Sequence, residues 1–509
     1  MKKISIGITV IALTIILSAC SLIYQPRTNK LVRVDFYDFV NEVIEDKRIP
    51  IYFHTQAEVP FIEVAVFLDL LPAYLSNETF RYDLTDDGFI ISYIDYESEA
   101  TFELTYIESS QTIELNHIEF LYFLDGDLIY PDYYYLTEDI ASRTYRFSDP
   151  VSFDLDRYNL SPIIYENDYY LPLSLANLFF SGFDTNLYFN GIALYATDSS
   201  IEPVDFPLRY TAQDMPLDLQ KHVIDFLAFY YDYFYGLNFD GEPHYYKDIL
   251  FPLKSTLKGD NLSFYQMIDF FIKDFDDMHM GLAFEGYYGD LYVFDDANYT
   301  YEGRTKKSMD DAEIYLDYCE SNYSQQLTES ISLIAINSFD TYTAEIFAYE
   351  KDLLIGQQTT DLIIDFTCNE GGYVFAMMDM LPYVIGSTFQ INFKHHTLGA
   401  MHTYYFESGI NQLSINFYIK TSSITYSAAN IFTAYAKTYG DAIVIGEPSS
   451  GGSSHVDTLF GPAGLLIQVP FSFHFTTHLG HNYEYGIPVD YTFTSQDIDD
   501  LINLIESIA

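Results

Sequence analysis

From Ile331 to the end of the chain, short apolar runs alternate with longer stretches whose apolar positions recur every three to four residues. SLIAINSF, LIIDF, INFYIK and AIVIG read as strands. The stretches around Ala344–Leu354, from Val374 onward and over Ser427–Tyr439 read as helices. This alternation predicts an α/β core with a parallel-rich sheet flanked by helices. Residues from about 30 to 200 follow another rhythm, in which aromatic and β-branched runs are cut by Asp, Asn and Gly turns, as in FRYDLTDDGFIISYIDY and TNLYFNGIALYATD. Two stretches there switch to helical spacing, Val59–Leu71 and Leu171–Phe180, with Pro60 and Pro172 expected at the helix starts, where a missing N–H costs nothing. The pattern predicts two degenerate α+β repeat modules of strand–helix–strand form, at about 30–110 and 145–200. A helix is expected from Asp214 and Pro216 to about Tyr235, and another from a Ser263 cap to about Phe275.

The expected division is therefore a leader at 1–19, the two modules within 20–200, a helical segment at 212–285, a polar linker at 286–330 and an α/β core at 331–509. The leader is inferred from Lys2 and Lys3, the apolar run Ile4–Leu17 and the small residues Ser18 and Ala19, a pattern too short for a membrane span. Leu17-Ser18-Ala19-Cys20 resembles the lipobox of bacterial lipoproteins. That resemblance implies a lipid on Cys20 and a chain anchored to the cell membrane, facing outside the cytoplasm. Both repeat modules loosely resemble copper-amine-oxidase N-terminal-like domains. Neither carries a convincing ligand cluster, so a spacer or substrate-docking role is expected.

Charge removes several functions. With 74 acidic and 24 basic residues the chain carries a net charge of −50, which repels nucleic acid and anionic membrane surfaces. Forty-nine tyrosines and 42 phenylalanines supply apolar area enough to argue against disorder. Besides Cys20 the cysteines are Cys319 and Cys368, so one disulfide is possible and a disulfide-built scaffold is not. The histidine groups His395/His396/His402 and His474/His478/His481 lack the His-Glu-x-x-His form or a matching cysteine set, and no metal or cofactor is expected.

Two segments of the core carry the candidate chemistry. LIIDFTCNEGG delivers the Gly371–Gly372 pair at the end of a strand, where bare backbone N–H groups can reach a substrate carbonyl. TYSAANIFTAYAKTYG places Ser427 at the start of a helix. A serine there commonly serves as the helix cap. Its other reading is a nucleophile, with the Ala428 N–H and the helix dipole facing a developing oxyanion. Such a serine needs a base that titrates near neutrality. His279, in Asp276-Asp277-Met278-His279, is a candidate, and Glu484 in HNYEYGIPVDY is a carboxylate that could orient an imidazole.

In order and spacing, SLIAINSF, LIIDFTCNEGG, the Thr425–Gly452 segment and GIPVDY resemble the C-terminal processing peptidase and tricorn-like serine peptidase family, with a ClpP/crotonase-like core. Anchoring on Gly446-Glu447-Pro448 puts the family's nucleophile at Ser427, followed by Ala428. The general-base lysine of the processing branch falls at Gly452, which excludes a Ser–Lys dyad. The tricorn-like branch uses a histidine from an Asp-x-His segment, matched at His279. It also uses a glutamate whose position falls on Tyr483, one residue before Glu484. The Gly371–Gly372 pair maps to the oxyanion element. The interval from His279 to Ile331 is too short for the PDZ domain that many processing peptidases carry.

The resemblance implies a lipid-anchored extracytoplasmic serine endopeptidase acting on polypeptides. Its catalytic residues would be Ser427, His279 and Glu484, with an oxyanion hole from Gly371, Gly372 and Ala428. Two other expectations stand beside it: an inactive peptidase fold that binds peptides or envelope partners, and a ligand-binding lipoprotein working through residues 30–200.

Overall fold

The structure, a computed structural model, describes residues 30–38, 47–54, 58–71, 80–95, 98–122, 140–181, 185–198, 214–237, 245–286, 288, 301–315, 319, 322–355, 358–386, 388–408 and 414–509. The expected leader 1–19 and Cys20 lie outside them. Among the described residues no helix is long and apolar enough to cross a membrane.

The two stretches read from the sequence as repeats contribute to one sheet. In spatial order its strands are Ile163–Tyr165, Asp168–Pro172, Phe61–Glu63, Arg48–Phe53, Lys30–Asp38, Leu194–Asp198 and Thr185–Phe189. The equivalent strands Phe61–Glu63 and Asp168–Pro172 pair antiparallel, with Ile62 opposite Leu171. Each leads directly into its helix, Val64–Leu70 or Leu173–Phe180, and the Phe67 and Phe180 rings lie 6.2 Å apart. This corrects the expectation of two separate modules, since each short repeat completes its sheet with strands of the other. It also corrects the role of one proline: Pro60 precedes a strand, whereas Pro172 stands at the N-cap of its helix as expected while pairing with Phe61. A second, antiparallel sheet follows the strand period plainly: in Thr101–Ile107 the alternate residues Phe102, Leu104 and Tyr106 are buried.

Helices Leu217–Tyr233 and Asn261–Lys273 pack into the same apolar cluster as these sheets, and the cluster continues to Leu465, Ile467, Val469 and Phe473 near the C-terminus. The second helix is capped by Asp260, whose carboxylate accepts the Ser263 N–H, so the cap lies three residues before the expected one.

The core sheet runs Tyr323–Gln326, Ile331–Ala335, Asp361–Asp365, Asn416–Thr421, Ile443–Gly446 and Tyr491–Thr492. The first strand pairs antiparallel and each later pair is parallel. Strands buried on both faces read as continuous apolar runs, and the two faces separate cleanly here. Ile334, Leu362, Ile364, Phe417 and Ile419 pack on helices Thr343–Ile355, Val374–Ile385 and Ala428–Tyr439. Leu333, Ile363, Tyr418 and Ile445 pack instead on Leu501 and Ile505 of the last helix, Ile498–Ile508.

A further sheet, absent from the sequence reading, links core and N-terminal parts through Gly281–Phe284, Leu466–Thr476, Thr388–His395, Met401–Glu407 and Ile140–Arg146. It buries His395, His402 and His474, and His402 Nε2 lies 3.2 Å from the buried Glu119 carboxylate. Among the described residues no group of three His, Cys, Asp or Glu side chains is arranged to hold a metal ion.

Burial makes His222, His279, His395, His396, His455 and His474 sensitive to acid. It pushes His222, His279 and His474 down to about 3 and His396 and His455 down to about 4, and takes His395 well below its ordinary range. A base held neutral in the folded state and free to protonate when unfolded contributes stability above the unfolded pKa, and that stability is lost as pH falls toward the folded pKa. Buried carboxylates with raised pKa, such as Asp277 and Glu484, act in the opposite sense and offset part of the effect. Each histidine contributes up to about 1.4 kcal/mol per pH unit between the two pKa values. The urea midpoint is therefore expected to fall between pH 7 and pH 5. A midpoint that holds or rises over that range would contradict the assignment.

Candidate active site

Ser427 sits where the strand Asn416–Thr421 turns into the helix Ala428–Tyr439. The turn is built from buried hydroxyls. Thr425 Oγ1 donates to the Phe366 carbonyl (2.8 Å) and Ser422 Oγ to the Thr367 carbonyl (2.6 Å), which fasten it to the end of the neighbouring strand. The Ser427 backbone has φ 52° and ψ −123°, a left-handed conformation that costs a residue with a side chain about 1–3 kcal/mol. It is held there by its own N–H on the Gly451 carbonyl (2.8 Å) and by the Tyr426 N–H on the Asn369 carbonyl (3.1 Å). Ser427 occupies the N-cap position, yet its hydroxyl caps nothing. Its Oγ lies 3.0 Å from His279 Nε2, across 148 residues of chain.

His279 reaches that point from a turn held at both ends. Its N–H donates to Asp277 Oδ1 (2.9 Å), its carbonyl accepts from Gln468 Nε2 (3.2 Å), and the following strand Gly281–Phe284 pairs with Leu466–Gln468. The Tyr426 ring packs 4.6 Å from the imidazole, and the Tyr426 hydroxyl donates to Asp277 Oδ1 (3.2 Å). The imidazole is buried, and burial and then the nearby Arg304 guanidinium push it down to about 3. It is thus neutral at physiological pH, with Nε2 able to accept the serine proton. Among the described residues its buried Nδ1 has no hydrogen-bond partner.

Glu484 is also buried in this cluster, and here the geometry departs from the expectation. Its Oε1 accepts from Arg304 Nη1 (2.9 Å) and its Oε2 from the Ser453 N–H (2.8 Å). None of its hydrogen bonds goes to His279. Burial raises its pKa, the neighbouring Asp277 adds to this, and Arg304 opposes it. These donors already satisfy both of its oxygens.

The paired glycines divide the labour expected of them. Gly371 has φ 112°, and a methyl group on it would lie 2.7 Å from Ser427 Cβ and 3.1 Å from the Ala428 nitrogen. Its N–H is spent on Asn369 Oδ1 (2.8 Å), so it serves by yielding space rather than by donating to an oxyanion. That corrects one member of the expected oxyanion hole. Gly372 has φ 124° and would meet the Phe339 carbonyl if it carried a methyl, while its N–H makes no hydrogen bond among the described residues. The Ala428 N–H, first in its helix, is likewise uncommitted and lies at the positive end of the helix dipole.

Sequence reasoning missed Arg304. The stretch treated as a linker contains the helix Gly303–Tyr315, the disulfide half Cys319 and an edge strand of the core sheet, Tyr323–Gln326. Cys319 is bonded to Cys368, next to the Asn369–Gly372 turn. Arginine is scarce in so acidic a chain, and one at the start of a helical pattern was the available signal.

Residues 330–493 match the model of peptidase family S41. No curated protein matches the chain significantly. Among solved structures, the photosystem II D1 C-terminal processing protease is 13% identical with a TM-score of 0.32. That match covers 36% of this chain and 51% of the other, about half its length. A lipoprotein from Streptococcus agalactiae is 15% identical with a TM-score of 0.39, covering 58% and 96%. The tricorn protease is 12% identical with a TM-score of 0.36, covering 84% and 46%.

Replacing Gly371 by alanine forces either the Ser427 turn or the glycine turn to move, and leaves a side chain at φ 112°. Its expected cost is about 1–3 kcal/mol of stability, together with a drop of about a hundredfold or more in Ser427 reactivity, since misplacement by 1 Å has effects of that size. Thermal unfolding and the rate of labelling by a fluorophosphonate measure the two. Labelling at the wild-type rate would remove Gly371 from the site.

Proposed function

We propose that this chain is a lipid-anchored, extracytoplasmic serine endopeptidase that hydrolyses polypeptides through Ser427 and His279. Members of family S41 are serine peptidases, and the observation that carries the reading is the 3.0 Å approach of His279 Nε2 to a serine hydroxyl that caps no helix. As Ser427 Oγ attacks the scissile carbonyl, its proton passes to His279 Nε2. The tetrahedral oxyanion is stabilised by the N–H groups of Gly372 and Ala428. Collapse expels the amine, which takes the proton from His279 and leaves an acyl-serine. Water then attacks that ester, giving its proton to Nε2, and the serine recovers it as the peptide acid departs. Glu484 acts on this exchange through the buried charge of the cluster rather than through a bond to the imidazole. The N-terminal sheets would hold the site off the membrane or present substrate.

A peptide-binding protein without turnover is the second reading, favoured by a His279 Nδ1 that has no partner among the described residues and by the commitment of Glu484 to Arg304. Labelling separates the two. A fluorophosphonate is expected to modify Ser427, S427A to abolish both labelling and cleavage of an unfolded polypeptide, and H279A to slow both by about 10²–10⁴. Wild-type cleavage by S427A would end the serine mechanism, and a wild-type chain that never labels or cleaves would favour binding alone.

Anchoring is tested apart from catalysis. C20S is expected to move the protein from the membrane fraction to the medium. Retention in the membrane by that variant would rule out attachment through Cys20.

A further inference from the structure

The helix Gly303–Tyr315 buries almost no apolar surface, with Ser308 its one buried residue. Polar and covalent links hold it instead, and each ends on a segment that carries part of the active site. Asp276, three residues before His279, accepts the Arg304 N–H (2.9 Å) and the Thr305 N–H (2.8 Å). Gly303 has φ 61°, and a methyl group there would lie 1.9 Å from the Asp276 carboxylate, which would have to move. Ser423, in the turn before Ser427, donates to Asp311. The Tyr315 hydroxyl donates to Glu447 (2.8 Å), at the strand end leading to Gly451. Cys319 is bonded to Cys368 beside the glycine turn.

At the head of this helix the Arg304 side chain spans the cluster. Its Nε donates to the Asp276 carbonyl (2.8 Å) and its Nη1 to both the carbonyl (2.8 Å) and the Oε1 (2.9 Å) of Glu484. Its Nη2 lies 3.7 Å from Asp277 Oδ1, and the Tyr485 ring covers it at 5.4 Å.

We propose that Arg304 is a positioning residue of this active site, its guanidinium locking the His279 turn to the Glu484 loop so that the imidazole is presented to Ser427. The inference rests on the serine-peptidase reading above. Arg304 does not touch the reacting atoms. It acts through Asp276 and Glu484, and a fork of donors in fixed geometry suits that task as a lysine ammonium does not. The groups around His279 are Arg304, Asp277, Glu484, Tyr426, Tyr235 and His455. Arg304 is their one permanent cation, and it helps burial to hold the imidazole neutral. Without it, Asp277 and Glu484 would face each other and the imidazole with no compensating charge.

The experiment uses the full chain and follows the rate of fluorophosphonate labelling of Ser427 against pH, with thermal unfolding measured on the same samples. R304Q is expected to label at least tenfold more slowly at pH 7. Its acid limb should move to higher pH, because losing the cation eases protonation of His279. R304K keeps the charge and loses the fork, so its limb should stay near the wild-type position while its rate falls. A folded R304Q with wild-type rate and pH profile overturns the proposal. If R304Q does not fold, an R304K variant matching the wild-type rate overturns it. A wild-type chain that does not label at all defeats the peptidase reading instead, which keeps the two failures distinct.

Discussion

The site depends on one close approach, that of the Asn369–Gly372 turn to the Ser427 turn. No room for a methyl group remains between them, since a Cβ on Gly371 would lie 2.7 Å from that of Ser427. The contact is reinforced by the Tyr426 N–H on the Asn369 carbonyl, while Asn369 donates to the Ile336 carbonyl and accepts the Gly371 N–H. Parallel strands make this possible. Asp361–Asp365 and Asn416–Thr421 are neighbours in register, so the turns leaving their carboxyl ends emerge side by side. The strained φ of Ser427 is the local cost of that geometry, and the buried hydroxyls of Ser422 and Thr425 hold it in place.

Electrostatics sets the second constraint. Asp277 and Glu484 are buried almost completely and both have raised pKa values, first through desolvation. Two carboxylates in so little water are tolerable only beside a cation, and Arg304 supplies it from a helix with little apolar attachment of its own. The same charge lowers the basicity of His279. On the proposed reading, Arg304 links two properties that are usually separable, the position of His279 and its readiness to hold a proton.

The sequence was most legible where one physical signal ruled. Beyond Ile331, doubly buried strands appear as unbroken apolar runs and the helices between them keep a clean period, so the α/β alternation could be read directly. Legibility failed where partners are distant. The repeats at 30–200 looked like separate modules because pairing across them, such as Ile62 with Leu171, leaves no local trace. The sheet carrying His395, His402 and His474 was passed over because its strands alternate polar and apolar residues. Ser427 and His279 could be named as residue types on turns, but their separation of 3.0 Å is a tertiary fact. Gly371 was assigned a donor's task when its N–H is already used, and Arg304 stood in a stretch whose polarity suggested a linker.

These misreadings share a consequence for how the chain is divided. The core sheet supplies Ser427 and the glycine turn, but His279, the proposed base, arrives on a turn after the helix Asn261–Lys273. That helix and Leu217–Tyr233 bury their apolar faces in one cluster with Phe153, Phe179 and other residues of the N-terminal sheets. Ser174 Oγ lies 2.9 Å from His222 Nε2 within the same packing. The region matched to family S41, 330–493, therefore holds half of the Ser427–His279 pair. The helix that precedes the His279 turn thus shares one apolar core with the N-terminal sheets.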